Sequence, residues 1–196
     1  MLLPDWRYGQ IKDVVADAFE ACGVDSIPVD AFAVARGLGI DVLAYSELGE
    51  EGRAAALKLS PNGFKFVLQS GAAENARIYC NDAQPSGRVR FTLLHEIGHF
   101  ALGHLEDSDV AEAEANFFAK FAIAPPSLVH VIRPNDYLDI AAAFGVSCKC
   151  ALYSWNYYQK WLRAESEGDY EQRLSRLFVI SNAKGGAGVL RTRRGA

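Results

Sequence analysis

Apolar residues recur along the first forty positions with the three- and four-residue spacing of a helix. In "YGQIKDVVADAFEACG" they are Ile11, Val14, Val15, Ala18 and Phe19. This run ends at Gly23, and the next segment, "IPVDAFAVARGLG", has Pro28 as a helix start and Gly39 as a helix end. The pattern therefore predicts two N-terminal helices within residues 8–39.

Short segments typical of strands follow within residues 40–81. They read "IDVLAY", "RAAALKLS", "FKFVLQ" and "RIYCND". The turn "PNG" at 61–63 separates the second segment from the third, which predicts that these two pair as a hairpin. We therefore expect a small antiparallel sheet in this part of the chain.

Helical periodicity dominates from residue 87 onward. Pro125 and Pro126 interrupt it once, and "RPND" interrupts it again. The order of two helices, a small sheet and a helical half (87–180) predicts an α+β fold in one domain over residues 1–180. The Gly-rich, basic segment 181–196 is predicted to be a flexible tail.

The overall composition is that of a folded globular protein. Of 196 residues, 50% are hydrophobic and 22% are charged, and the formal net charge is −4. This charge gives no general attraction to nucleic acid or to an anionic membrane. The start "MLLPDWRYGQ" does not resemble a secretory signal, and no run approaches the roughly 18 apolar residues of a membrane span. We expect a cytoplasmic protein whose four cysteines are reduced thiols, not a disulfide framework.

The segment "RVRFTLLHEIGHFALGH" at 88–104 contains the pattern HExxH. His95 and His99 are four residues apart, so one helix face presents both imidazoles to a single ion, with zinc the first choice and manganese an alternative. Glu96 lies close enough on the helix to take a proton from a metal-bound water without being a ligand. The apolar flanks predict a buried helix, in which these polar groups need partners. The pattern therefore predicts a metallopeptidase site.

His104 has a different position from the other two histidines of this segment. It lies nine residues after His95, about 180° around a continuous helix. It can join the other two only if the helix breaks at Gly103. We therefore interpret His104 as a residue that favours the dipole at the helix C-terminus, rather than as a ligand.

A catalytic zinc needs a third protein ligand. A helix capped by Asp109 and beginning near Val110 would place Glu112, Ala115, Asn116 and Ala119 on one face. Glu112 is the favoured ligand on this geometry, and Asn116 is expected to form a hydrogen bond with a ligand histidine. Glu114 on the opposite face, His130 and the acids of "EDSD" remain alternatives. Glu112 in a first helical turn can also be only a capping residue.

Together, "RVRFTLLHEIGHFALGH" and "EAEANFFAKFAIAPP" resemble the ImmA/IrrE family of zinc metallopeptidases. That family shows R-F-T-L-x-H-E-[IL]-G-H, then E-x-[EQ]-A-[ND]-x-F-A and a closing proline, and the similarity covers most of residues 25–160. The resemblance implies zinc ligands at His95, His99 and Glu112, with Glu96 as the catalytic acid/base, in a zincin-like domain that carries HExxH on its active-site helix. It also implies cleavage of helix-turn-helix transcriptional repressors, often of mobile elements.

Two positions depart from the family pattern. The helix after "FAKF" ends in "IAPP" instead of Leu-Met-Pro, and the frequent Arg-Leu of a later helix appears as Ser154 and Trp155. Neither change touches the chemistry, but both can alter the substrate groove.

The predicted reaction is zinc-dependent hydrolysis of a peptide bond. In it, Glu96 takes a proton from the attacking water and passes it to the leaving amine. Candidate donors to the oxyanion are Tyr153, Tyr157, Tyr158 and His130. The alternative is a metal-bound regulatory protein without proteolytic activity, a partner in a toxin–antitoxin pair or at DNA. The segment "YLDIAAAFGVSCKCALYSWNYY" resembles a helix-turn-helix, but its second helix is aromatic, so we expect no direct nucleic-acid contact and no membrane contact.

Overall fold

Helices make up most of the protein, and one small sheet lies between the N-terminal and C-terminal helices. A computed structural model describes residues 2–70, 73–106, 108–163 and 168–184. The first half contains α1 (Asp5–Cys22), α2 (Ala31–Gly37), β1 (Asp41–Ala44), a short 3-10 turn (Tyr45–Glu47), α3 (Glu50–Leu59), β2 (Gly63–Ser70) and β3 (Ala73–Cys80). The second half contains α4 (Ser86–Ala101), α5 (Asp109–Ile123), α6 (Pro126–Ile132), α7 (Tyr137–Phe144), α8 (Cys148–Trp161) and α9 (Asp169–Lys184). The expected α+β class is confirmed.

The two predicted N-terminal helices are present, with one shifted start. Gly23 ends α1 in the left-handed conformation, with φ of 62°. Helix α2 begins at Ala31, so the predicted start at Pro28 is wrong. The reason is that the Asp30 side chain caps the helix by accepting a hydrogen bond from the Ala33 amide at 3.1 Å.

The sheet is mixed, so the expectation of an antiparallel sheet is wrong. Its strand order is β1-β3-β2. Strand β1 pairs in parallel with β3 and brings Asp41 opposite Arg77, whereas β2 and β3 form an antiparallel hairpin. Parallel pairing of β1 with β3 requires the intervening chain to cross over, which a local pattern does not reveal.

The segment "RAAALKLS" lies in α3 and is not a strand. Alanine has the highest helix propensity, and Glu50 and Glu51 stand in the first turn, where acidic groups favour the helix dipole. Only Ala56 of this helix is buried, so α3 lies on the surface. As a consequence, "FKFVLQ" pairs with the strand that follows it and not with the segment that precedes it.

Helix α4 crosses the centre of the fold. It packs closely against α5 and also contacts α2, β2 and β3. The core around it includes Phe19, Leu93, Ile97, Phe118, Phe144 and Phe178. Arg90 of α4 donates hydrogen bonds to the carbonyls of Phe144 and Gly145 at 2.9 and 3.1 Å, which fixes the turn between α7 and α8 against α4.

A glycine makes the contact between α4 and α5 close. A Cβ atom at Gly98 would lie 3.0 Å from Cβ and Cγ of Phe118, which is fully buried on α5. A larger side chain at this position would push the two helices apart. Close packing therefore requires glycine at position 98, the residue directly before His99 in HExxH.

The C-terminal helix belongs to the same core. Arg173 of α9 forms ion pairs with Asp17 and Glu20 of α1, and Leu174 and Phe178 are buried. Helix α9 runs to Lys184, so it extends into the segment predicted as a tail. The rest of that tail, 185–196, lies outside the described residues, and the domain limit at 180 stays a prediction.

One helical stretch among the described residues, Asp109–Ile132, is long and apolar enough by composition to cross a membrane. However, 72% of its most apolar window is buried inside the protein. That burial is typical of a core helix.

We expect Gly98→Val to destabilise the protein by about 1–3 kcal/mol, because the added methyl groups must displace Phe118. Urea unfolding measures this change. The matched control is Gly9→Ala on α1, where an added Cβ meets nothing within 4 Å and where we expect stabilisation by about 0.5–1 kcal/mol. Equal stability of Gly98→Val and the parent would contradict the close contact.

Candidate metal centre

Three side chains from α4 and α5 converge on one point. The Nε2 atoms of His95 and His99 are 3.2 Å apart. The two oxygens of Glu112 face different rings, with Oε2 at 3.5 Å from Nε2 of His95 and Oε1 at 3.2 Å from Nε2 of His99. Two nitrogens bound to one tetrahedral zinc at about 2.05 Å lie about 3.3 Å apart. The arrangement therefore fits a single ion of this size.

The helix termini place these groups. His95 and His99 occupy one face of α4, a turn apart. Helix α5 presents Glu112 from its first turn, and the cap of this helix is Ser108, whose Oγ accepts from the Ala111 amide at 3.1 Å. The predicted cap at Asp109 is wrong, because Asp109 is already the first helical residue. Glu112 shares its predicted helix face with Asn116.

Both histidine rings are neutral in the metal-free protein at neutral pH. His99 is only 2% exposed, and this burial lowers its pKa to about 3, with Lys65 adding to the effect. Burial also lowers the pKa of His95, although Glu112 opposes this shift. A histidine must be neutral to offer a lone pair to a metal, so this environment prepares both rings as ligands.

The far side of the His99 ring joins a chain of hydrogen bonds. Nδ1 of His99 is 3.0 Å from Nδ1 of His104, and Nε2 of His104 is 2.9 Å from Oε2 of Glu114. Arg7 of α1 donates to both oxygens of Glu114, from Nε at 2.7 Å and from Nη2 at 2.5 Å. The hydrogen bond from Arg7 holds the pKa of Glu114 below its usual value, so this group is a carboxylate.

The carboxylate at the end of this chain of hydrogen bonds limits which ring nitrogens can carry a proton. A carboxylate only accepts, so Nε2 of His104 must carry the proton that it donates to Glu114. When the His104 ring carries only this proton, its Nδ1 is an acceptor, and Nδ1 of His99 donates to it. This leaves the lone pair of His99 on Nε2, the atom that faces Glu112 and His95.

The interpretation of His104 as only a dipole residue misses its contact with His99. Helix α4 ends at Ala101, and Gly103 then turns the chain in the left-handed conformation, with φ of 70°. The His104 ring therefore lies against His99 instead of on the opposite face. Lys65 of β2 fixes this turn by donating to the His104 carbonyl at 3.0 Å. Gly103 was the feature of the sequence that pointed to this contact, because His104 can reach His99 only if the helix ends before Gly103.

The other predicted residues have separate positions. Glu114 points away from the three converging groups, toward Arg7. Asn116 donates from Nδ2 to the backbone carbonyl of Glu112 at 2.7 Å, and its expected contact with a ligand histidine stays a prediction. Nδ1 of His130 is 2.9 Å from the Tyr158 hydroxyl, in a cluster apart from the centre.

The candidate oxyanion donors differ in exposure. Tyr157 lies among Phe117, Phe121 and Tyr170, and burial raises its pKa to about 12. Tyr153 is 39% exposed and lines a cavity beside α4. None of the described contacts joins either tyrosine to the three converging groups.

Glu96 shares a cavity with the candidate ligands. This cavity of about 370 Å³ lies between β2 and α4, and its walls include Phe64, Phe66, Glu96, His99 and Glu112. Glu96 is buried, whereas the Glu112 side chain is half exposed. The cavity therefore gives solvent and a ligand access to the space that Glu96, His99 and Glu112 line.

The four cysteines are free thiols. Cys148 is exposed, Cys150 is half-buried, and neither belongs to the group of possible metal ligands found in the described residues, which is His95, His99 and Glu112.

Comparison with known proteins identifies one family. A family model described as the IrrE N-terminal-like domain (Peptidase_M78) matches residues 55–156, more than half of the chain. The matched segment contains all three converging groups and Glu96. No curated protein and no solved structure matches the chain.

We expect the metal-free protein to lose stability as the pH falls from 6.5 to 5. In this window the unfolded chain protonates its histidines, while the folded pKa of His99 is about 3, so the unfolded state binds more protons. Each pH unit costs up to about 1.4 kcal/mol for each buried histidine. Urea unfolding at several pH values measures the slope. A parent slope no steeper than that of His99→Gln would contradict this account.

We expect His104→Leu to bind zinc about tenfold more weakly than the parent, because Nδ1 of His99 then lacks its acceptor. Competition with a chromophoric chelator measures the affinity. His104→Gln keeps an acceptor for His99 and a donor to Glu114, so it should restore part of the loss. Equal zinc affinity of His104→Leu and the parent would show that the hydrogen-bond chain does not orient the ring.

Proposed function

Because the chain belongs to the family of the IrrE N-terminal-like domain (Peptidase_M78), we propose that it is a zinc-dependent endopeptidase. The family match confirms the resemblance to ImmA/IrrE proteins. The proposal therefore starts from a metallopeptidase function. The observation that carries the proposal is the convergence of two neutral imidazoles and one carboxylate within 4.8 Å of one another.

The donor set favours zinc as the ion. Imidazole nitrogen with one carboxylate oxygen is a common set for catalytic zinc, whereas manganese is more often bound by oxygen-rich sites. Three protein ligands leave a fourth position open, which a catalytic centre requires. The half-exposed Glu112 lies on the side that opens to the cavity. We propose His95, His99 and Glu112 as the ligands, with manganese as the alternative ion.

Glu96 is proposed as the acid/base of the reaction. Zinc, when bound, polarises the peptide carbonyl and lowers the pKa of water. The Glu96 carboxylate accepts the proton of the attacking water and delivers it to the nitrogen of the leaving amine. Its position supports this role, since Glu96 follows His95 directly and lines the cavity that His99 and Glu112 also line.

An extended segment of a protein is the proposed form of the substrate. Among the described residues, strand β2 is at the edge of the sheet, and the backbone groups on its outer side have no strand partner there. Phe64, Lys65 and Phe66 of this strand form one wall of the cavity at the centre. An extended peptide can add to such an edge through main-chain hydrogen bonds. Pairing of this kind does not depend on the side chains of the peptide.

The substrate itself is proposed from the family resemblance. Its members act on helix-turn-helix transcriptional repressors, often of mobile elements, so we propose a repressor in the cytoplasm as the target. Cleavage would release the repressed genes. Asn116 is proposed to support the ligand set from the second turn of α5.

The alternative is a metal-bound regulatory or interaction protein that cuts nothing. Direct DNA binding has little support, because α8, the second helix of the possible helix-turn-helix, is aromatic and has only one Lys near each end. A toxin–antitoxin or other protein partner remains the form of this alternative. Measurement of cleavage together with metal content separates it from the peptidase.

We expect Glu96→Gln to keep about one zinc per chain and to lose cleavage by a factor of about 10²–10⁴, because only the proton transfer is removed. Elemental analysis measures the metal, and mass spectrometry measures cleavage of a helix-turn-helix repressor encoded beside the protein. The matched control is Glu51→Gln on the exposed surface of α3, which should behave as the parent. Zinc retention with equal cleavage by Glu96→Gln would exclude Glu96 as the acid/base.

A further inference from the structure

One cavity beside α4 is not used by the proposed chemistry. Its volume is about 720 Å³, and it lies beside the N-terminal half of α4. Helices α4, α5 and α8 contribute its walls, with Phe91, Lys120 and Tyr153 among the lining residues. An open space of this size accommodates one or more amino-acid side chains of a bound peptide.

The cavity has an unbalanced positive charge. Arg88, Lys120 and Lys149 line it, and none of its lining residues is Asp or Glu. None of the ion pairs found in the described part of the chain involves these three cations. Lys120 lies over the ring of Tyr153, with Nζ at 4.9 Å from the centroid. The net charge of the whole chain is −4, so this local cluster of positive side chains predicts that the cavity binds an acidic group.

The cavity lies on the face of α4 that presents the candidate ligands. Arg88, Phe91 and His95 follow one another at spacings of three and four residues, which keeps them on the same helix face. At about 1.5 Å per residue, Phe91 is about 6 Å and Arg88 about 10 Å from His95 along the axis. The cavity therefore lies on the same face of α4 as the candidate metal centre, one to two turns toward the helix N-terminus.

Helix α5 contributes Lys120 to the same cavity. Glu112, Asn116 and Lys120 are each four residues apart and share a face of this helix. Because Lys120 and Phe91 line the same cavity, the face that begins with the ligand Glu112 ends at the cavity. A peptide that leaves the metal centre in this direction passes between Phe91 and Lys120.

We propose that this cavity is a specificity subsite that binds an acidic side chain of the peptide substrate. The proposal rests on the proposed peptidase function. An extended peptide advances about 3.3 Å per residue, so the acidic residue lies roughly two to four positions from the cleaved bond. Because the cavity extends from only one end of the centre, the preference for Asp or Glu falls on only one side of that bond.

Cleavage-site profiling tests the subsite without knowledge of the natural substrate. The zinc-loaded full chain is incubated with a tryptic peptide library made from a whole proteome, and mass spectrometry identifies the new termini. We expect Asp and Glu to be enriched roughly fivefold at one of these positions, the scale of a single exposed ion pair. The charge-reversed double variant Arg88→Glu/Lys149→Glu should lose this enrichment.

The matched control is Arg53→Glu/Lys160→Glu, which reverses two exposed cations outside the cavity and should keep the enrichment. Thermal unfolding and zinc content, measured for all three proteins, separate loss of the subsite from loss of the fold. Cleavage without an acidic preference, or an equal preference in the cavity variant, overturns the subsite.

A binding measurement separates failure of the subsite from failure of the peptidase function. The probes are a fluorescein-labelled decapeptide with two central glutamates among alanine and serine, and its glutamine counterpart. Anisotropy with Glu96→Gln should show roughly fivefold tighter binding of the glutamate probe, and the added cavity substitutions should abolish the difference. If the parent cuts nothing but this difference appears, the peptidase function fails and the acidic site stands. If both probes bind equally, the subsite is overturned.

Discussion

The close packing of α4 against α5 is the constraint on which the candidate centre depends. Gly98 lets the backbone of α4 approach Phe118, and only at that separation does the short carboxylate of Glu112 reach both Nε2 atoms. His99, next to Gly98 on α4, is only 2% exposed, and the loss of water keeps its ring neutral. Packing and ligand geometry therefore depend on one helix–helix contact, and the burial of His99 sets its protonation state.

Because His99 is buried, its Nδ1 atom needs a hydrogen-bond partner, and the chain of contacts that supplies one ends at Arg7 of α1. A buried ring nitrogen without a partner is costly, and His104, Glu114 and Arg7 provide a complete series of donors and acceptors from His99 to the surface. His95 differs, because its buried Nδ1 has no hydrogen-bond partner among the described residues. The two candidate ligand histidines are therefore held unequally, because Nδ1 of His99 has a hydrogen-bond partner in His104 and Nδ1 of His95 has none among the described residues.

The sequence was informative where structure is local. Helical spacing located α1 and α4, and the four-residue spacing of His95 and His99 was enough to predict that they share a face. It was misleading at "RAAALKLS", which was predicted as a strand although alanine propensity and the acidic first turn favour a helix. Contacts between distant positions were not readable, since the parallel pairing of Asp41 with Arg77 and the ion pair of Arg7 with Glu114 depend on the complete fold. The contact of His104 with His99 depends on the left-handed conformation of Gly103. A glycine in the sequence permits this conformation but does not show that it is adopted.

Anomalous diffraction at the zinc edge, from crystals of the zinc-loaded chain, tests the central claim most directly. The account predicts one ion per chain, at about 2.0–2.2 Å from Nε2 of His95, Nε2 of His99 and a carboxylate oxygen of Glu112. An ion held by other residues, or crystals grown with zinc that show no peak between α4 and α5, would contradict the assignment of these three side chains as a metal centre.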